Sequence, residues 1–278
     1  MPIEPDKFYK YRSLASKEDV SRAIDIIKHH RIFFSSPVRF NDPFDCWPRF
    51  NIEGGAAARL SYYKRLISKN MAADNRATRR LKLKKFKKKD AWKDKNVLDN
   101  FRQRLFEEEI SKVGVLSMSS VNNNQLLWSH YADSHKGICF EFNSSGNFFG
   151  RALKVNYQRE YPTINLTLAD SDENTDNTFL TKSLDWAYEK EWRIIDYDQG
   201  EGSYVFPKSD LTLIIFGSRI RPEIRSDILS IVSNKYPSLP CKDALISEER
   251  YEVIVPIDKS DTENQGSRFK PLADNASR

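Results

Sequence analysis

Eight stretches of the chain are short and apolar, or alternate apolar with polar residues: Lys7 to Leu14, Arg31 to Ser35, Val113 to Ser119, Gly137 to Asn143, Ala152 to Gln158, Glu191 to Asp196, Leu211 to Gly217 and Tyr251 to Ile257. Each is strand length. Helical spacing falls between them, at Ser16 to His30, Asn124 to Ser134, Phe179 to Tyr188 and Pro222 to Lys235. The first of these opens with Ser16-x-x-Asp19, the pattern of a reciprocal N-terminal cap, and carries Ile24, Ile27 and His30 at helical intervals. Strands and helices do not alternate regularly, which argues against a doubly wound parallel sheet and predicts an α+β fold with a mixed or antiparallel core. From about Ala56 to Lys112 the strand pattern lapses into Ala, Leu, Lys, Arg and Glu, predicting two or three inserted helices. Asn165 to Asn177 reads as an acidic surface loop, and residues 259–278 as a polar, disordered tail behind a single α+β domain of residues 1–258.

Composition narrows the class. The 278 residues are 39% hydrophobic and 30% charged, which suits a globular protein and excludes a wholly disordered chain. The longest apolar runs fall far short of the roughly 20 residues of a membrane-spanning helix. The start, Met1 to Lys10, has acids and a proline where a signal peptide would be apolar. Cys46, Cys139 and Cys241 lie far apart without CxxC spacing, so neither a zinc site nor a disulfide framework is expected, and a cytoplasmic location is. The net charge of +6 is local in origin. Between Arg76 and Lys95 about eleven Lys and Arg face only Asp90 and Asp94, about +9 in one segment. Arg79, Arg80, Lys84, Lys85, Lys87, Lys88 and Lys89, with Phe86 and Trp92 among them, suit a nucleic-acid contact; the alternative is a solvated helix face.

Four islands are dense in aromatic and polar residues: Phe8-Tyr9-Lys10-Tyr11-Arg12-Ser13, Phe40-Asn41-Asp42-Pro43-Phe44-Asp45, Trp128-Ser129-His130-Tyr131-Ala132-Asp133 and Tyr188-Glu189-Lys190-Glu191-Trp192-Arg193. Together with Gly137-Ile138-Cys139-Phe140-Glu141-Phe142 they resemble a bacterial family, the domain-of-unknown-function family 2971. A more distant resemblance carries chemistry. Mono-ADP-ribosyltransferases of the Arg-Ser-Glu type place an arginine on the first strand, a Ser-x-Ser on a middle strand and a Glu-x-Glu entering a later one. Arg12, Ser117-Met118-Ser119 and Glu189-Lys190-Glu191 stand in that order here.

That resemblance implies an ADP-ribosyltransferase-like core and NAD as substrate, with no metal. Glu191 would offset the charge of the oxocarbenium-like ribose, Arg12 would hold the dinucleotide's phosphate or ribose, Ser117 would orient the site, and Glu189 would take the acceptor's proton. Tyr11, Phe40 and Tyr131 are candidates to stack on nicotinamide, and Ser119 and Asn41 to complete the cofactor site, the Asn41 loop closing over it. The acceptor would be a nucleic acid or a protein, and the setting a toxin or an anti-phage effector with an antitoxin or inhibitor as partner. Water in place of the acceptor would make an NAD glycohydrolase; a non-enzymatic nucleic-acid-binding module is the alternative of another class.

Strand alternation sends Ser117 and Ser119 to one face and Leu116 and Met118 to the other. Glu189 and Glu191 share a face only if the chain is extended from Glu189, since on a helix they stand about 200° apart. Each motif also has a plain structural reading. Glu189-Lys190-Glu191 is then a charged turn, Ser117 and Ser119 polar strand-end residues, Arg12 an ion-pair partner for Asp42 or Asp45, and His130 a structural residue of its helix.

Overall fold

Alternation within the first strand sets up the sheet: Phe8 points to one face while Tyr9 and Tyr11 point to the other. The computed structural model describes residues 4–51, 57–58, 60–62, 64–65, 75–88, 106–165 and 177–256. In chain order the strands are β1 (Lys7–Arg12), β2 (Arg31–Phe34), β3 (Arg49–Asn51), β4 (Gly114–Ser119), β5 (Ile138–Asn143), β6 (Leu153–Lys154), β7 (Asn156–Gln158), β8 (Thr163–Asn165), β9 (Thr181–Ser183), β10 (Glu191–Asp196), β11 (Gly202–Val205), β12 (Leu211–Phe216), β13 (Cys241–Asp243), β14 (Leu245–Ile246) and β15 (Val253–Ile254). The helices are α1 (Lys17–His29), α2 (Arg76–Lys88), α3 (Gln125–Tyr131) and α4 (Pro222–Lys235).

The chain forms two compact units. The first comprises Met1–Ser35, Gly114–Val155 and Asp185–Arg278, and the second Ser36–Val113 and Asn156–Leu184. The first holds a seven-stranded sheet in the order β13-β12-β5-β1-β4-β10-β6, antiparallel except for the β12–β13 pair. The expected α+β class with a mostly antiparallel core is therefore what forms.

Both faces of this sheet are covered, which is why β5 and β12 read as nearly continuous apolar runs. On one side Phe8, Leu116, Met118, Phe140, Phe142, Ile194 and Phe216 join Ile26 and Ile27 of α1 and Ile228 and Val232 of α4. On the other, Tyr11, Cys139, Leu213 and Ile215 pack with Leu127, Trp128 and Ala132, and with Val253. Each fully buried large apolar side chain contributes about 1.5–3 kcal/mol. Helix α1 starts at the expected capping box, Ser16 accepting from the Asp19 N–H and Asp19 from the Ser16 N–H, and ends at His30 in the left-handed conformation. Pro222 opens α4, where its missing N–H is not needed.

Two expected helices are cut short. Asn124 to Ser134 stops at Tyr131, because Asp133, Ser134 and His135 are all left-handed (φ 49°, 54° and 69°) and turn the chain into β5. That turn closes on Gly137, where a Cβ would lie 2.2 Å from the Arg12 carbonyl oxygen, so only glycine fits. Phe179 to Tyr188 is helical only to Leu180, in a turn over residues 177–180; β9 and a 3-10 turn over Leu184–Glu189 follow, since pairing with β7 in parallel overrides the helical spacing.

In the second unit β3 pairs with β8 and β7 with β9, both in parallel. A buried ion pair joins Lys182 to Asp45 at 3.5 Å, and Trp47 and Phe50 pack edge-on to Phe106. Within the expected helical insertion α2 and residues 106–110 are helical. The acidic loop from residue 166 to 176 and the tail lie outside the described residues. Among the described residues no helix is long and apolar enough to cross a membrane.

Candidate functional site

The Ser-x-Ser and Glu-x-Glu motifs meet on adjacent strands. β10 pairs antiparallel with β4 so that Glu191 stands opposite Ser119 and Arg193 opposite Ser117. On the far side of β4, Ser119 stands opposite Tyr9, and Tyr9 opposite Glu141 of β5. Paired residues share a face, so Tyr9, Ser117, Ser119, Glu141, Glu191 and Arg193 lie on one side of the sheet.

Glu191 is ionically committed. Arg193 donates to it through a fork, Nε to Oε1 at 2.7 Å and Nη2 to Oε2 at 3.0 Å, and the two residues are only 4% and 0% exposed. Alternation puts positions 191 and 193 of a strand on one face, which is what lets the two side chains form this bidentate pair. The expectation that the chain is extended from Glu189 fails. Glu189 is the last residue of the 3-10 turn, and Lys190, left-handed at φ 45°, separates it from β10. Glu189 is nonetheless buried on the same loop, its Oε1 accepting from the Tyr131 hydroxyl at 2.7 Å. It is thus no solvated turn residue.

The loop is tied down from β4 and α3. Ser119 Oγ donates to the Glu189 carbonyl at 2.6 Å and accepts from the Val121 N–H, Ser120 N–H donates to the Lys190 carbonyl, and Asn124 Nδ2 donates to the Tyr188 carbonyl. Asn124 also caps α3 through its Oδ1. Around Tyr131 a ring cluster forms, with His130 Nδ1 hydrogen-bonded to the Tyr188 hydroxyl at 3.1 Å and Trp186 edge-on to His130. His130, expected as a structural residue of its helix, is part of this cluster, and Trp186, Tyr188 and Arg193 join the site without having been expected there. The Glu-x-Arg spacing of 191 and 193 was the signal available for the last of these.

The other expected members have surroundings of their own. Arg12, three residues along β1 from Tyr9, projects from the opposite face, opposite Ile138 and beside Asp19 and Arg22 of α1. Its Nε is buried with no hydrogen-bond partner among the described residues, and burial, helped by Arg22, lowers its pKa to about 10. It joins neither Glu191 nor Ser117, and Asp45 pairs with Lys182 instead. Tyr11 is spent on the fold: its hydroxyl donates to the Val121 carbonyl at 2.9 Å and its ring packs edge-on to Trp128. Burial and neighbouring Glu141 push the Tyr9 hydroxyl's pKa well up, so it remains protonated. Phe40 and Asn41 follow a short 3-10 turn in the second unit. Arg79, Arg80, Lys84 and Lys85 lie on α2, as do Lys87 and Lys88, whereas Lys89 lies outside the described residues. Among the described residues no three His, Cys, Asp or Glu side chains gather as metal ligands would.

Residues 127–194 match a family model described as "Protein of unknown function (DUF2971)". The match covers 68 of the 278 residues, and over that segment the chain is similar to this family. The DUF2971 segment contains Tyr131, Glu189, Glu191 and Arg193, so the buried carboxylates and their partners fall within what the family model recognises. No curated protein and no solved structure matches the chain.

Proposed function

We propose that the chain is an ADP-ribosyltransferase that cleaves NAD and transfers ADP-ribose to a macromolecule, with nucleic acid preferred as acceptor. The observation that supports this reading is the register of neighbouring strands, which sets Glu191 opposite Ser119 on one sheet face with Glu189 on the loop before it. In this reading the bond between nicotinamide and ribose C1′ breaks, and its electron pair leaves on the nicotinamide nitrogen, neutralising it. Glu191, held ionised and oriented by Arg193, offsets the positive charge left on the ribose. The acceptor's nucleophile then bonds to C1′, and its proton passes to Glu189. Ser117 and Ser119 position the site. Arg12 has no part in it, and Arg193 is the cation paired with Glu191. The same proposal includes an ADP-ribosyltransferase-like core, in which β4 and β10 would carry the Ser-x-Ser and Glu-x-Glu motifs side by side while Arg12 of β1 lies on the other face. The test is incubation with NAD labelled in the adenylate and a mixture of RNA, DNA and protein. Label appearing covalently on nucleic acid is expected; no label on any acceptor and no free ADP-ribose refutes the reading, and free ADP-ribose alone makes the chain a glycohydrolase.

The burial of the Glu191–Arg193 pair favours a second reading, in which the pair is structural and the chain binds nucleic acid without catalysis. Helix α2 supplies the surface, with exposed Arg76, Arg80, Lys84 and Lys85 and no acid in its first turn. Binding through α2 loses affinity steeply with salt, and replacing Arg79, Arg80, Lys84 and Lys85 by Gln lowers the logarithmic salt slope by about 3. An unchanged slope would make α2 a solvated face.

A further inference from the structure

Beside the Glu189–Glu191 loop a cleft of about 290 Å³ opens, lined by Val121, Asn123, Gln125 and Lys190 together with Tyr251 and Glu252 from the loop that joins β14 and β15. Its walls are firm. The Tyr11 hydroxyl holds the Val121 carbonyl, the Trp128 indole N–H holds the Asn122 carbonyl at 2.8 Å, and Ser120 holds the carbonyl of Lys190. Lys190 is exposed and left-handed, a conformation a non-glycine residue keeps only where its surroundings impose it. Its ammonium is thereby presented from a fixed backbone. Tyr251 is 99% exposed, and none of the described residues covers its ring.

Each group suits one part of a nucleotide. A tyrosine ring offers a stacking surface for a base, the Asn123 and Gln125 amides can each donate to and accept from a base edge, and an ammonium attracts a phosphate. The Glu252 carboxylate can accept from an exocyclic amine and would repel a second phosphate. The volume is near the lower limit of small-ligand sites, about 300 Å³, and so suits a single unit rather than a paired step. We infer that this cleft seats one unpaired, amine-bearing base of a single-stranded nucleic acid, next to the loop that carries Glu189. The inference rests on the proposed transfer to nucleic acid for its purpose, but not for its test.

The test is fluorescence anisotropy with a labelled single-stranded oligoadenylate, without NAD, on the full chain and on Tyr251→Ala, Tyr251→Phe and Asn123→Ala. Tyr251→Ala weakens binding about tenfold or more and Tyr251→Phe restores it, because the ring supplies the stacking. The salt slope stays unchanged in all three, since no charge is removed. Tyr251 is exposed, so its replacement leaves the fold intact, and circular dichroism confirms this. Equal binding by Tyr251→Ala and the parent overturns the inference, as does tighter binding of the parent to the duplex of the same sequence or no binding by the parent. Binding that depends on Tyr251 in a protein that never releases nicotinamide leaves the cleft standing and removes the transferase reading.

Discussion

Replacing Arg193 by Met exposes what the Glu191–Arg193 fork contributes. Both groups are almost wholly buried, and the guanidinium meets both carboxylate oxygens within 3.0 Å. Removing one member of such a pair strips the other, a buried charge, of its forked partner, at a cost of about 3–5 kcal/mol. That is a large share of the roughly 5–15 kcal/mol that holds a typical domain together. With a urea dependence of about 3 kcal/mol per M, the unfolding midpoint falls by about 1–1.7 M. The double variant Glu191→Gln, Arg193→Met removes both charges, so its loss is smaller than the sum of the two single losses by about 2 kcal/mol or more. Tryptophan fluorescence in urea gradients reads all four proteins, and Trp192 lies inside the strand that carries the pair. Additive losses, or an Arg193→Met midpoint within 0.3 M of the parent by the same order of estimate, about 1 kcal/mol, would refute the coupling.

Tyr131→Phe deprives buried Glu189 of its 2.7 Å hydrogen bond, so the melting temperature drops by several degrees for a loss of about 1.5–3 kcal/mol; an unchanged melting curve contradicts the contact. Arg12→Met leaves nicotinamide release unchanged and costs little or no stability, because the Arg12 Nε is buried without a hydrogen-bond partner among the described residues and the residue faces away from Glu191; a hundredfold loss of release would return Arg12 to the site. Cys241 is pushed up to about 11, chiefly by burial, so its thiolate is scarce at neutral pH. Its alkylation by iodoacetamide, followed by mass spectrometry, therefore climbs about tenfold per pH unit toward pH 11, and a plateau near pH 9 contradicts the shift.

The strands β10 and β12 and the helix α4 were readable because their apolar runs end at clear boundaries, Gly217 after β12 and Pro222 at the head of α4. What failed depended on contacts remote in sequence. β9 is a strand because β7 pairs with it, and nothing local in Thr181–Ser183 says so. The case of Arg12 is sharper. Alternation alone puts it opposite Tyr9 and Tyr11, but which face holds the carboxylates is decided by Tyr9 standing against Ser119 and Ser119 against Glu191, a register set by residues 110 and 72 positions apart. The left-handed turn at Lys190 was equally hidden, since lysine carries no preference for it. Ser117, Ser119 and Glu191 came together as the alternation required, because period-two geometry needs only the strand to be right.

Nicotinamide released from NAD by the purified parent and by Glu191→Gln, followed by chromatography with both proteins shown to be folded, tests the central claim most directly. The account predicts release by the parent and a loss of about a hundredfold or more in the variant, because the amide keeps the shape of Glu191 without the charge that offsets the ribosyl cation. Near-equal release by the two proteins, or none by the parent, would contradict it.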